Sequence, residues 1–183
     1  MDLTGVVKTG LPLIARQDAR LFILGSLPGD ASLAARRYYA HPQNQFWRLV
    51  GSAIGQNLPE LPYEERLERL SECRIGLWDV VGSAVRHGSL DQAIRLANHN
   101  RIERLTHDFL ELAAIAFNGA TSAAIGRKLI GSDTGLTLID LPSSSAANTR
   151  PFTEKQAAWS ALAAFSPCAT GQLSQKGSND SDR

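Results

Sequence analysis

Four short apolar runs punctuate the sequence: Arg20–Leu24 (RLFIL), Ile75–Val81 (IGLWDVV), Ala113–Phe117 (AAIAF) and Leu136–Leu141 (LTLIDL). Each is bounded by Gly, Pro, Asn or Ser and is too continuously apolar for a strand with one wet face, so all four are expected to be buried on both sides. Helical patterns separate them. Tyr63–Ser71 is charged and amphipathic, Asp91–Leu96 and Arg101–Leu112 read as one or two further helices, and Thr121–Ile130 is rich in Ala. Thr153–Phe165 opens on a Thr cap with Glu154 one residue on. Strand alternating with helix predicts an α/β fold: a three-layer α/β/α sandwich with a mostly parallel four-stranded central sheet.

The chain has 183 residues, which suits one domain, expected over 1–168. Residues 169–183 carry a single large apolar residue and are expected to form a disordered tail. No apolar run approaches the roughly 20 residues of a membrane span, and the N-terminus lacks the layout of a signal peptide. Cys73 and Cys168 are too few for a disulfide framework or an all-cysteine cluster and are expected to pack or lie idle. His87, His99 and His107 share no metal-ligand spacing and read as surface or helix residues. The chain reads as a soluble, cytoplasmic monomer.

Net charge is only +1, but the distribution is informative. Fifteen of the 19 basic residues are arginine, and Ala31–Pro59, Leu112–Ser132 and Leu141–Thr153 contain no acid. Locally basic loops on a neutral body suit a focused phosphate or nucleic-acid site, while arginine scattered over the surface explains the same counts equally well. In parallel α/β sheets the site lies beyond the carboxyl ends of the strands. That directs attention to the loops Gly25–Gly29, Gly82–Ala84, Asn118–Thr121 and Pro142–Ser145, all small, polar and rich in backbone donors. The first is followed by interleaved arginines and aromatics, Arg36, Arg37, Tyr38, Tyr39, His41, Phe46, Trp47 and Arg48. Such a stretch can stack a base while gripping phosphates; plain core packing is the competing reading of each aromatic.

Four motifs stand in order: Gly25-Ser-x-Pro-Gly29, Tyr38-Tyr39-x-His41-Pro42-x-Asn44-x-Phe46-Trp47, Phe117-Asn118-Gly119, and Leu141-Pro-Ser-Ser-Ser-x-x-Asn148. In this set the chain resembles the uracil-DNA glycosylase superfamily, most closely its hypoxanthine-DNA glycosylase branch, over roughly Leu21 to Phe165. The resemblance implies hydrolysis of the bond between a deaminated base and its deoxyribose in flipped-out DNA, without metal or cofactor. Uracil-specific relatives carry a water-positioning Asp or Asn just before Pro in the first loop, where this chain has Leu27. The resemblance therefore moves that role to Asn44, with Asp30 and His41 as further candidates, against plainer roles as a helix cap and a turn former. It also assigns base binding to Gly25, Ser26, Leu27, Phe46 and Asn118, with Phe46 stacking on the base.

For Asn118 the chemistry gives an independent reason. Uracil and hypoxanthine present a carbonyl next to a ring N–H, which one fixed amide matches, whereas cytosine and adenine present the reverse pair. Ser143, Ser144, Ser145 and Arg150 are the candidate phosphate contacts. A non-catalytic binder of damaged DNA or abasic sites is the alternative, because Leu27 and Leu141 stand where relatives carry polar groups. No G-x-S-x-G elbow or paired Ser, His and acid supports an esterase.

Overall fold

The computed structural model describes residues 6–169. The four apolar runs become strands within a residue or two of their expected bounds: β2 (Leu21–Gly25), β3 (Ile75–Asp79), β6 (Ala114–Asn118) and β7 (Thr137–Leu141). They form one sheet in the order β3-β2-β6-β7, every pair parallel. Alternation within β2 divides the core. Leu21 and Ile23 join a cluster with Phe46, Trp47, Val50, Leu70 and Trp159, drawn from α2 (Phe46–Ile54), α3 (Tyr63–Glu72) and α6 (Phe152–Trp159). Phe22 and Leu24 face the other way, toward Ala123 of α5 (Ala120–Ile130) and Leu105 of α4 (Leu105–Asp108). Helices therefore cover both faces, and the expected sandwich is present.

A second sheet went unforeseen. β1 (Val7–Thr9), β4 (Val81–Val85) and β5 (Arg95–His99) pair antiparallel in the order β1-β4-β5. β4 leaves β3 after Val80, whose N–H donates to the Gly25 carbonyl at 2.9 Å. Gly82–Ala84, expected as a loop, thus lies inside a strand. Asp91–Leu96 is not a helix either. Only Asp91–Ala93 makes a 3-10 turn, and Leu96 sits at φ 48° within β5, outside the helical region. The Arg101–Leu112 pattern shrinks to a 3-10 turn, Ile102–Arg104, and the four-residue α4. α1 (Asp30–Ala35) and α2 occupy the stretch read above only for its motif residues. Thr153 is no cap: Pro151, at φ −52°, precedes the first residue of α6.

Cys73 and Cys168 are joined in a disulfide, contrary to the expectation that they pack or lie idle. Cys73 caps the carboxyl end of α3, and the bond fastens the end of the described chain there. Apart from Ala169, the tail expected over 169–183 lies outside the described residues. Among the described residues no helix is long and apolar enough to cross a membrane, and no group of three or more His, Cys, Asp or Glu could hold a metal ion.

Candidate active site

The carboxyl ends of β2, β3, β6 and β7 are neighbours by register, with Gly25 opposite Asp79 and Asn118 opposite Leu141. Three of the four inspected loops therefore gather at one edge of the sheet. Asn118 ends β6, and its side chain is fixed by one residue of the β7 loop. Its Nδ2 donates to Ser144 Oγ at 2.9 Å, and its Oδ1 accepts from the Ser144 backbone N–H at 2.8 Å. These bonds assign the amide orientation and use half of its capacity, leaving one N–H and one lone pair. Gly119 follows at φ 103°, a conformation that favours glycine, and turns the chain into α5.

Ser144 is 1% exposed, with Oγ and N–H both committed to Asn118 and its carbonyl accepting from Gln45 N–H at 2.9 Å. It is therefore a brace for Asn118 and not the phosphate contact expected of it. Ser143 and Ser145 are half-buried in the same loop, while Arg150 is exposed near Glu154. Lys155, buried and missed in the sequence, donates to Gln45 Oε1 at 2.9 Å and to the Asn148 carbonyl at 2.7 Å. Burial, and secondarily Arg150, lowers its pKa. It clamps the turn before α2 to the last motif.

Asn44 is half-buried in that turn. Its Oδ1 accepts from Phe46 N–H at 3.0 Å and its own N–H donates to the His41 carbonyl at 2.9 Å. Its Nδ2 makes no hydrogen bond within the described residues and is available to hold a water. His41 is exposed and accepts from Gln43 N–H through Nδ1 at 3.2 Å, which shapes the turn. Asp30 opens α1 as an ion-pair partner of Lys8, with Arg86 at 3.9 Å. His41 thus keeps its plainer reading as a turn former, whereas Asp30 is not the helix cap of its plainer reading. Gly29 is the N-cap of α1, no side chain caps it, and the Asp30 carboxylate is taken up by Lys8.

Phe46 is 0% exposed. Tyr39 lies over its face, with ring centroids 3.6 Å apart and planes within 7°, so Tyr39 occupies the stacking position expected of Phe46. Trp47 and Trp159 meet Phe46 edge-on. Tyr39 holds φ 54°, a costly backbone for a bulky residue. Its hydroxyl is buried, faces Asn118 and Asp79, and forms no proper hydrogen bond. Burial and then the Asp79 charge push its pKa up.

The first loop is held from behind. Leu27 is 5% exposed and part of the core. Arg86, 1% exposed, donates to the Leu27 carbonyl at 3.0 Å and to that of Pro28. Ser26 Oγ donates to Asp91 Oδ1 at 2.6 Å. A methyl group on Gly25 would collide with a carboxylate oxygen of Asp79 and come within 3.3 Å of the Tyr39 hydroxyl. Asp79 is 3% exposed. Its burial and the nearby Asp91 charge push its pKa up to about 7, against weaker opposing effects of Tyr38 and Arg86. Asp79, Arg86 and Asp91 were missed in the sequence. Asp79 alone left a signal, an acid inside an otherwise apolar run; nothing in the spacing of Arg86 and Asp91 singles them out.

The sequence profile of the Uracil DNA glycosylase superfamily matches residues 12–163. A protein named hypoxanthine DNA glycosylase from Methanosarcina acetivorans is 40% identical over 157 residues, covering 86% of this chain and 98% of its own. Its namesake from Methanosarcina barkeri is 38% identical over 154 residues, covering 83% and 95%. The solution NMR structure of a candidate uracil DNA glycosylase from M. acetivorans superposes with a TM-score of 0.77 at 39% identity, covering 86% of this chain and 96% of that one.

Proposed function

Because the chain belongs to the uracil DNA glycosylase superfamily, we propose that it is a monofunctional DNA glycosylase acting on deaminated bases, hypoxanthine ahead of uracil. It flips the damaged nucleotide out of the duplex and hydrolyses the N-glycosidic bond, leaving an abasic site for base excision repair. The names of both Methanosarcina relatives favour hypoxanthine.

The observation that carries this reading is the Asn118 amide, braced twice by Ser144 at the carboxyl end of the sheet. Its remaining N–H can donate to O6 of hypoxanthine or O4 of uracil, and its remaining lone pair can accept the adjacent ring N–H. Cytosine or adenine would set donor against donor and leave the buried amide unsatisfied, at a cost of about 1–3 kcal/mol. Bond cleavage places positive charge on the sugar and negative charge on the base. Asn44 then orients water toward C1′, a role an amide can fill when the sugar cation forms early. Tyr39, backed by Phe46, offers the stacking face, and Ser143, Ser145 and Arg150 are the candidate contacts for the flanking phosphates.

Oligonucleotides bearing one hypoxanthine or one uracil, incubated with protein and then alkali, provide the test. Wild type should give strand breaks at the damaged base, and Asn118→Ala should lose roughly 10–100-fold of that excision. A mobility shift without breaks would make the chain a binder, the reading that Leu27 favours. Undiminished excision by the variant would sink the edge-reading role.

A further inference from the structure

Behind the first loop, three buried polar atoms find no hydrogen-bond partner among the described residues: Asp79 Oδ2, the Tyr39 hydroxyl and Arg86 Nε. Buried polar groups without a protein partner are rare, and three in one neighbourhood mark a polar spot that the surrounding side chains alone do not satisfy. Two of them, on Asp79 and Tyr39, also lie beside Gly25 at the carboxyl end of the sheet. Asp79 ends β3 in register with Gly25, and only the missing side chain of Gly25 leaves room for its carboxyl group. The Tyr39 hydroxyl stands beside that gap and faces both Asp79 and Asn118.

We propose that Asp79 is the general acid of base removal, giving its proton to a ring nitrogen of the purine as the bond to the sugar breaks. The inference rests on the hypoxanthine reading above and adds what that reading lacks. Asn118 can steady the carbonyl and N–H edge, but a purine departing through N9 is a poor leaving group until a ring nitrogen, N7 or N3, is protonated. The balance closes. The C1′–N9 bond breaks, its electron pair goes to the base, and the proton of Asp79 neutralises that base. Water then bonds to C1′ through oxygen and releases one proton, which restores Asp79. No other reactant is consumed.

The surroundings hold that proton well above the usual carboxylate range. Asp79 faces Asp91 of the turn after β4, Arg86 from the end of β4, and Tyr38 and Tyr39 from the loop before α2. Two acids share one buried arginine, which is already engaged with the Leu27 and Pro28 carbonyls. Asp91, bonded to Ser26 and nearer solvent, is the better placed to carry the charge. Asp79, pushed up to about 7 chiefly by burial, is then the one left protonated.

The sign of the pH dependence follows. The acid must carry its proton, so activity belongs to the low-pH side and falls as pH rises through about 7. Single-turnover hypoxanthine excision by wild type, measured from about pH 5.5 to 9, should decline roughly tenfold per unit above the bend. Asp79→Asn, isosteric but unable to give up a proton, should be about 100-fold slower at pH 6 and should lack the bend. A wild-type rate that is flat over this range overturns the assignment without needing any variant to fold. So does an Asp79→Asn protein that keeps the wild-type profile. Wild type that cuts neither hypoxanthine nor uracil DNA at any pH removes the glycosylase reading itself, a result distinguishable from the other two.

Discussion

In the proposed mechanism Asn44 serves stability and chemistry at once. Its oxygen satisfies the Phe46 N–H at the start of α2, while its Nδ2 remains open within the described residues. Replacing it by alanine removes both. Loss of a helix-terminal acceptor costs about 1 kcal/mol, whereas loss of a positioned amide at the reacting carbon should cut single-turnover excision about 100-fold. DNA affinity should stay within roughly threefold, because the phosphate contacts are elsewhere. Asn44→Asp keeps the capping oxygen and should recover the melting temperature, which separates the two losses. Comparing excision rate, binding and melting temperature across wild type and both variants checks this. Wild-type excision by Asn44→Ala would hand the water to another group.

Between elements, the tightest seam is the one between α5 and β6. Gly126 lays its bare Cα against the Phe117 ring, and a methyl group there would collide with it. Alanine favours helix over glycine by about 1 kcal/mol, but Phe117 is fully buried and overpacking a core costs about 1–3 kcal/mol. Gly126→Ala should therefore lower the melting temperature by a few degrees, a sign opposite to helix propensity. It should also slow excision, since Phe117 precedes Asn118. A thermal melt and one rate measurement decide it. Burial explains which elements were legible in the sequence. The central strands β2 and β6 are buried throughout under helices on both faces, and that leaves continuous apolar runs. The edge strand β7, expected to be buried on both sides, instead exposes Thr137 and Asp140. β5 is largely exposed and interrupted at Leu96, so its residues carry no strand period, and its first two residues run on from the 3-10 turn Asp91–Ala93 as if in one short helix. In the site, the motif residues at strand ends and turns could be found from sequence order. The brace of Ser144, the cover of Tyr39 on Phe46 and the cluster behind Gly25 could not, because each joins residues far apart along the chain.

For the molecule as a whole, the disulfide spans 95 residues. Cross-linking a loop of that size removes about 4–5 kcal/mol of denatured-state entropy in the simplest treatment, and measured gains are usually about 2–4. Cys73 lies just ahead of β3, at the amino end of the parallel sheet, so the bond and the site are at opposite ends. Cys168→Ser, or wild type under reductant, should melt roughly 10 °C lower and excise at an unchanged rate while folded. Differential scanning calorimetry with and without reductant, paired with the excision assay, checks both halves. A rate that falls with the bond would mean that the two ends communicate. The brace at Ser144 has a longer reach. One residue holds the Asn118 amide and, through its carbonyl, the Gln45 N–H beside Asn44. In the proposed mechanism recognition and hydrolysis thus share a hinge pin, and a descendant lineage could not retune one without disturbing the other. New substrate preferences would have to be written on the opposite bank, at Gly29, where an added methyl group meets only Ser89 at ordinary contact distance and leaves the pin untouched.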